Sequence, residues 1–401
     1  MSGLTTTARA PRVAAWRAAV FAIFAVNGLG LASVISRAPT LRADLHISVA
    51  QMGVLIVAGS IGAIAGLLVS SHLVHWLGGR RTILLTLAGC GVGVVGIGVG
   101  AQLGSYAIAW AFLALYGACS SLCDVAMNVE GTGVERATGR AIMPWFHASW
   151  SLGSVVSAGV GSIAAFAAIP PAAHFAAVGI LIVAGAIVTT RFLPTMEAAA
   201  EDAPRLTFRE RMSVWREPRT LLIGLIMLGM AFAEGSANDW LAIGFHDDRH
   251  VTDGQAALAF GAFATAMTVG RIAGVPLLNR FGRVAVLRGA ALSALAGLAV
   301  VILVPDPLIG GIGVVLWGLG ASLGFPVGMS AAGDEPAKAT ARVSAVATLA
   351  YGAFLIGPPV IGFVGQHTGV LAALWIVFGL IVAATLAIPA ARPPRPATPA
   401  E

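Results

Sequence analysis

The chain has 401 residues, of which 58% are hydrophobic and only 10% are charged, and it carries a formal net charge of +6. Soluble domains usually contain about 25% charged residues, so this composition excludes an ordinary water-soluble protein and indicates an integral membrane protein. The apolar segments are long runs rather than alternating segments of about ten residues, which predicts membrane-spanning helices and not a β-barrel.

Twelve apolar runs are long enough to span a membrane, because about 20 helical residues cross a hydrocarbon core of ~30 Å. Residues 1–13 form a polar tail, and the N-terminal six-helix bundle, 14–193, has spans near 14–36, 49–74, 82–102, 106–129, 142–167 and 172–193. An arginine-rich linker, 194–218, follows. The C-terminal bundle, 219–390, has spans near 219–243, 254–278, 284–304, 308–332, 342–365 and 368–390, and residues 391–401 form a second tail.

The basic residues lie mainly on one side of this topology. If both tails are cytoplasmic, 20 of the 24 Lys and Arg fall in cytoplasmic segments, Arg37, Arg42 and Arg249 fall outside, and Arg271 lies within a span. The positive-inside rule favours this orientation. The same distribution explains the positive net charge, so no nucleic-acid partner is expected.

The two halves of the sequence repeat each other in register. Gly78 and Gly282 each stand in a short basic loop, 204 residues apart, and Arg140 and Arg342 are 202 residues apart. Two six-span halves of the same orientation predict a parallel repeat about an axis normal to the membrane.

Several short motifs resemble those of a known family. The loops GGRR at 78–81 and NRFGR at 279–283 resemble the paired signature loops of the major facilitator superfamily of secondary transporters, and the resemblance covers essentially the whole chain. More narrowly, DVAMN at 124–128 and FHAS at 146–149 resemble a bacterial branch of inner-membrane permeases near the fucose-permease-like sugar transporters. The chain departs from the signature at Asn279, where relatives carry aspartate.

The resemblance implies an all-α membrane protein with twelve transmembrane helices in two pseudo-symmetric six-helix bundles, placed in a bacterial inner membrane with both termini cytoplasmic. It also implies that spans one, four, seven and ten line a central path. These spans carry Asn27, Asp124, Asn128, Glu234 and Asn238, and the last four form two i,i+4 pairs that each share a helix face. For the three asparagines, substrate contact and hydrogen bonding between helices both stay open.

Two carboxylates are candidates for proton coupling, because ionisable groups inside a membrane are costly and are usually functional. Glu234 is predicted about fifteen residues into span seven, with no lysine or arginine at a matching depth. Desolvation then favours its protonated form. We therefore expect Glu234 to be the principal proton site and Asp124 to be a second site or a gate residue.

Aromatic and charged residues supply the remaining candidates. Rings that can stack against a substrate are provided by Trp150, Trp317 and Tyr351. Asp124, His147 and Arg271 lie at similar predicted depths, so we expect a cytoplasmic gate in which Arg271 neutralises Asp124, with a static structural pair as the alternative. The predicted gate also includes the loop residues Arg80, Arg81, Arg140, Arg280 and Arg283.

These features predict a secondary active transporter that moves a small polar or amphipathic solute, preferably sugar-like, in symport with protons by alternating access. A drug or metabolite efflux antiporter of the same fold and a transport-inactive membrane sensor are the alternatives. We expect a monomer in the lipid bilayer. Neither an ATP-binding Walker loop nor a nucleophile–base pattern is present, so enzymatic activity, a cofactor and a metal site are not expected.

Overall fold

A computed structural model describes residues 9–139, 142–194, 213–334 and 338–393. Within these ranges the chain is helical, and no strand is assigned. The helices are α1 (Arg9–Ser36), α2 (Ala38–Asp44), α3 (Val49–Leu77), α4 (Gly79–Gln102), α5 (Tyr106–Thr138), α6 (Met143–Phe166), α7 (Pro171–Thr190), α8 (Pro218–Arg249), α9 (Asp253–Leu303), α10 (Pro307–Ala321), α11 (Gly324–Ala332), α12 (Ala339–Thr368), α13 (Val370–Ala373) and α14 (Trp375–Ala387).

In the described ranges, twelve helical segments are long and apolar enough to cross a membrane, as predicted. Their ends differ from the predicted ends mainly where charged residues were assigned to loops. The fourth span was predicted to end at residue 129, but α5 continues to Thr138 and ends at Gly139, which has a left-handed conformation with φ 65°. The extension is stabilised because buried Glu130 accepts a hydrogen bond of 2.8 Å from the indole of Trp16.

Two glycines in corresponding loops have the same unusual backbone conformation. Gly78 separates α3 from α4 with φ 76° and ψ 157°. Gly282 interrupts α9 with φ 74° and ψ 166°. Helix α9 contains two of the twelve spans, Asp253–Gly274 and Pro276–Leu303. An L side chain is strained at such positive φ values. The internal repeat read from the sequence is therefore present in the backbone of these two loops.

Backbone contacts divide the chain into two compact units. Unit 1 contains residues 1–201 and 250–264. Inside it, small residues bring α6 against α1, because a β-carbon at Gly153 would overlap the carbonyl oxygen of Ala25. Ser157 completes this contact with a hydrogen bond of 2.6 Å to the carbonyl oxygen of Leu29. Close packing of small residues of this kind is typical of helices in membranes.

Unit 2 contains residues 202–249 and 265–401. Helix α8 lies at its centre and packs against α10, α11, α12, α13 and α14. The large side chains of Trp240 and Trp317 are completely buried there. Helix α8, with the polar residues in its middle, is therefore packed against several helices inside unit 2.

Candidate functional site

The first polar group lies halfway along α5. Asp124 is 18 residues after the first residue of the helix and 14 before the last. Asn128, one turn further on, uses its Nδ2 to donate hydrogen bonds to the backbone oxygen of Asp124 at 2.8 Å and to its carboxylate Oδ1 at 3.2 Å. Asp124 itself is exposed. Among the described residues of unit 1, no lysine or arginine forms a salt bridge with this carboxylate.

His147 on α6 extends this group. Its Nε2 lies 3.1 Å from the amide Oδ1 of Asn128. Because the amide nitrogen of Asn128 faces two oxygens of Asp124, its oxygen faces the histidine and can only accept, so Nε2 carries the proton in this contact. The ring of Phe24 packs edge-on against the imidazole at 5.1 Å. Asp124, Asn128 and His147 thus form one hydrogen-bonded chain, which we call the Asp124 chain.

The second polar group joins α8 to α9. The Nη2 of Arg271 lies 3.1 Å from the Oε1 of Glu234, and the two side chains are 33% and 19% exposed. Glu234 is 16 residues after Pro218, the first residue of α8. The expectation that Glu234 has no lysine or arginine at a matching depth was therefore wrong, because Arg271 is its ion-pair partner within unit 2. The gate contact of Arg271 with Asp124 stays a prediction.

The error came from the depth assigned to Arg271. The sequence placed the end of its span at residue 278, which put the arginine near a membrane surface. In the structure, helical backbone continues through Pro276 to Gly282, eleven residues beyond Arg271. At 1.5 Å per residue this places the guanidinium group about 16 Å from the break, close enough to the middle of the span to meet Glu234.

The predicted substrate-binding residues differ in how far their side chains are exposed. Asn27 is buried, and its Oδ1 has no hydrogen-bond partner among the described residues. Tyr351 is exposed, while Asn238 and Trp150 are half-buried. Trp317, in contrast, has no exposed surface, so its ring face is covered and the expectation that it stacks against a substrate is contradicted in this structure.

The predicted gate arginines lie in different environments. Arg80 is half-buried, Arg81 is exposed, and Arg280 lies over the ring of its neighbour Phe281 at 5.2 Å. Arg140 lies outside the described residues. Within the described ranges, Arg283 alone of these loop residues has a carboxylate partner.

Asp334, for which the sequence predicted no role, holds two arginines together. Its Oδ1 is 2.6 Å from Nη1 of Arg283, and its Oδ2 is 2.7 Å from Nη2 of Arg219. The Asp334 side chain is only 9% exposed. The available signal was an aspartate next to Gly333 at the end of a span, among loops that otherwise carry an excess of arginine.

A second ion cluster in unit 2 surrounds Glu217, just before α8. Its carboxylate accepts hydrogen bonds from Arg342 at 2.6 Å, Lys338 at 2.8 Å and Thr220 at 3.0 Å. The hydrogen bond from Arg342 is the largest cause that lowers the pKa of Glu217 from 4.5 to about 2. The folded state therefore favours the ionised form of the Glu217 carboxyl group.

This shift predicts a dependence of stability on acid. A carboxyl whose pKa is lower in the folded state stabilises the fold at neutral pH, and the contribution disappears as pH falls from 4.5 to about 2. Because the cluster is partly exposed, we expect Glu217→Gln to cost only about 1 kcal/mol at neutral pH. Thermal unfolding in detergent should show the difference from the wild type shrinking below pH 4.5. A difference that is the same at every pH would contradict this assignment.

Comparison with known proteins adds a family match. The sequence model of the Major Facilitator Superfamily matches residues 3–142, 134–354 and 238–401, which together cover nearly the whole chain. An uncharacterized MFS-type transporter of Yersinia pestis is 30% identical over 370 residues, covering 92% of both chains.

Two solved structures share the fold. A point variant of the nucleoside transporter NupG matches with a TM-score of 0.75 and 15% identity over 95% of this chain and 99% of its own. A point variant of the Escherichia coli fucose:proton symporter FucP matches with a TM-score of 0.65 and 17% identity over 94% and 98%. These likenesses confirm the predicted all-α class with twelve transmembrane helices in two six-helix bundles.

Proposed function

Because the chain belongs to the major facilitator superfamily, we propose that it is a secondary active transporter that moves a small polar or amphipathic solute by alternating access, in symport with protons. We favour a sugar-like solute. The fucose:proton symporter and the nucleoside transporter, whose named cargo is polar and contains rings, support this choice only as precedents for the fold.

The Asp124 chain is the observation that carries the proposal. A carboxylate in the middle of a membrane-spanning helix, without a basic partner among the described residues of its own unit, is costly as an anion unless water reaches it. Its protonation therefore depends on water access, which alternating access changes in every cycle. Asn128 links the carboxylate of Asp124 to His147. A proton gained or lost at Asp124 therefore changes the hydrogen bond that the amide of Asn128 donates, and with it the orientation of the amide and of the imidazole that contacts it.

This proposal changes the ranking of the two carboxylates. Asp124 becomes the principal proton site, and Glu234, which has a guanidinium partner, becomes a second one. We keep Asn27, Asn128, Asn238, Trp150 and Tyr351 as proposed substrate contacts. The buried, unpaired oxygen of Asn27 supports this choice, because a buried acceptor without a donor costs about 1–3 kcal/mol and a hydroxyl or amine of a solute can supply that donor.

We further propose that the protein is a monomer in a bacterial inner membrane with both termini cytoplasmic, and that residues 14–193 and 219–390 are the two bundles that move. The concentration of arginine and lysine in the loops of one side supports this orientation.

A two-step experiment tests the function. Purified protein is first screened for thermal stabilisation by sugars, nucleosides and hydrophobic drugs, and the stabilising compounds are then measured for flux into proteoliposomes with an imposed pH gradient. We expect a polar compound to be stabilising and to accumulate when the outside is more acidic. If only drugs stabilise the protein, and they move in the direction opposite to the protons, the result would favour an efflux antiporter. Binding without flux would favour a membrane sensor.

A further inference from the structure

Glu234 and Arg271 form an ion pair inside membrane-spanning helices, where charged groups are energetically costly. Both residues belong to helical segments that are long and apolar enough to span a membrane. Removing two charges from water costs several kcal/mol per ion, and a single ion pair is a weak source of stability there. A purely structural role therefore predicts a tight, fully buried contact.

The observed contact is open and incomplete. One Nη2 atom meets one Oε1 atom at 3.1 Å, although arginine and carboxylate can form two parallel hydrogen bonds. The arginine is a third exposed. In the described part of the chain, the other guanidinium nitrogens of Arg271 and the Oε2 of Glu234 make no hydrogen bond or ion pair. The guanidinium group of Arg271 is planar, and some of its N–H donors are accessible and can bind a second carboxylate.

Among the described residues, Glu234 and Arg271 form an ion pair with each other and with no third residue. Helix α9 also carries Arg280, Arg283 and Arg288, which lie nine or more residues beyond Arg271. On its own helix, Glu234 has Asp239 five residues further on, half-buried and without an ion-pair partner in the described ranges. The neighbouring helices α10, α11, α13 and α14 contain no titratable side chain. The charged or titratable residues of the remaining packed elements are Arg342, which binds Glu217, with Tyr351 and His367 on α12, and Arg216 in the turn before α8.

We propose that Arg271 binds an anionic group, a carboxylate, on the transported solute, and that Glu234 exchanges with that carboxylate. A proton added to Glu234 makes it neutral and breaks its ion pair, and the carboxylate of the solute then forms the new ion pair with Arg271. When the solute leaves, Glu234 releases its proton and the original pair forms again. The inference rests on the proposed transport function and narrows its substrate class to small hydrophilic acids.

The test compares acids with neutral compounds of the same skeleton. Purified full-length protein is titrated with D-galacturonate and D-galactose, and with D-gluconate and D-sorbitol, at neutral and at mildly acidic pH, and thermal stabilisation is recorded. We expect the acid of a pair to stabilise the protein at lower concentration than its neutral partner, and more strongly at acidic pH. Glu234→Gln mimics the protonated residue, so the acid should act at about tenfold lower concentration and without dependence on pH.

Variants at the arginine separate binding from folding. Arg271→Gln should lose the preference for the acid, and the double variant Glu234→Gln/Arg271→Gln, which leaves no unpaired charge, should lose it while remaining folded. Arg288→Gln, which removes an exposed arginine from the same helix α9, serves as the matched control and should keep the preference. Equal stabilisation by both members of every pair, or a preference that survives in the double variant, would overturn the inference. If a neutral compound then showed gradient-driven flux, the proposed transport function would still hold although the inference about acids had failed.

Discussion

Replacing Asp124 with asparagine is expected to lower the initial rate of solute uptake driven by a pH gradient by about 10²-fold, the effect typical of losing a proton-transfer group. Asparagine has nearly the same shape and can still accept a hydrogen bond from Asn128, so the fold and the contact with His147 should persist. What the variant loses is the capacity to bind and release a proton. The initial rate of uptake is measured in proteoliposomes with the solute found by the stabilisation screen.

Exchange without a gradient distinguishes coupling from binding in the same preparation. If Asp124 couples proton movement to solute movement, the Asp124→Asn variant should still exchange labelled for unlabelled solute while it fails to accumulate it. Asp306→Asn is a matched control, because Asp306 caps α10 through the backbone N–H groups of Leu308 and Ile309, and asparagine caps a helix nearly as well. Normal accumulation by the Asp124 variant would remove Asp124 from the coupling mechanism.

The largest loss of stability is expected at Asp334. Asp334→Asn removes the charge that binds Arg219 and Arg283 at 2.7 and 2.6 Å, and it leaves two guanidinium groups close together without a counter-ion. Removing one partner of a buried ion pair costs about 3–5 kcal/mol, and we expect about 2–3 here because both arginines are partly exposed. Thermal unfolding of the purified protein in detergent, at constant salt, measures this loss.

A second substitution tests whether the loss at Asp334 is electrostatic. The double variant Asp334→Asn/Arg283→Gln removes one of the stranded positive charges and should recover part of the stability, since residues in one ion network do not act additively. An Asp334→Asn protein as stable as the wild type would show that this cluster does not hold unit 2 together.

The architecture could be predicted from the sequence because it depends on properties shared by many residues, such as the hydrophobicity of a whole segment. The twelve apolar runs rest on many residues, and the register of Gly78 with Gly282 rests on a backbone constraint, so the fold and the family were confirmed. The orientation predicted from the arginine bias stays a prediction. The polar pair of Asp124 and Asn128 was also recognisable, since i,i+4 spacing alone places both on one face of α5.

Pairing between distant residues was not predictable in the same way. The partner of Arg271 depends on where its helix ends, and an error of four residues, from 278 to Gly282, moved the arginine away from Glu234. Asp334 was overlooked because its role comes from Arg219 and Arg283, which precede it in the chain by 115 and 51 residues. The burial of Trp317 depends on the packing inside unit 2, and its sequence neighbours give no indication of it.

Proton movement that depends on the solute is the decisive test of Asp124 as the coupling site. Proteoliposomes containing a pH-sensitive dye are prepared with wild-type protein and with Asp124→Asn, without an imposed gradient, and the stabilising solute is added outside. We predict that the interior becomes acidic as the solute enters through the wild type and that this signal is absent with the variant. Solute entry through the wild type without any change of internal pH would show that transport is not coupled to protons.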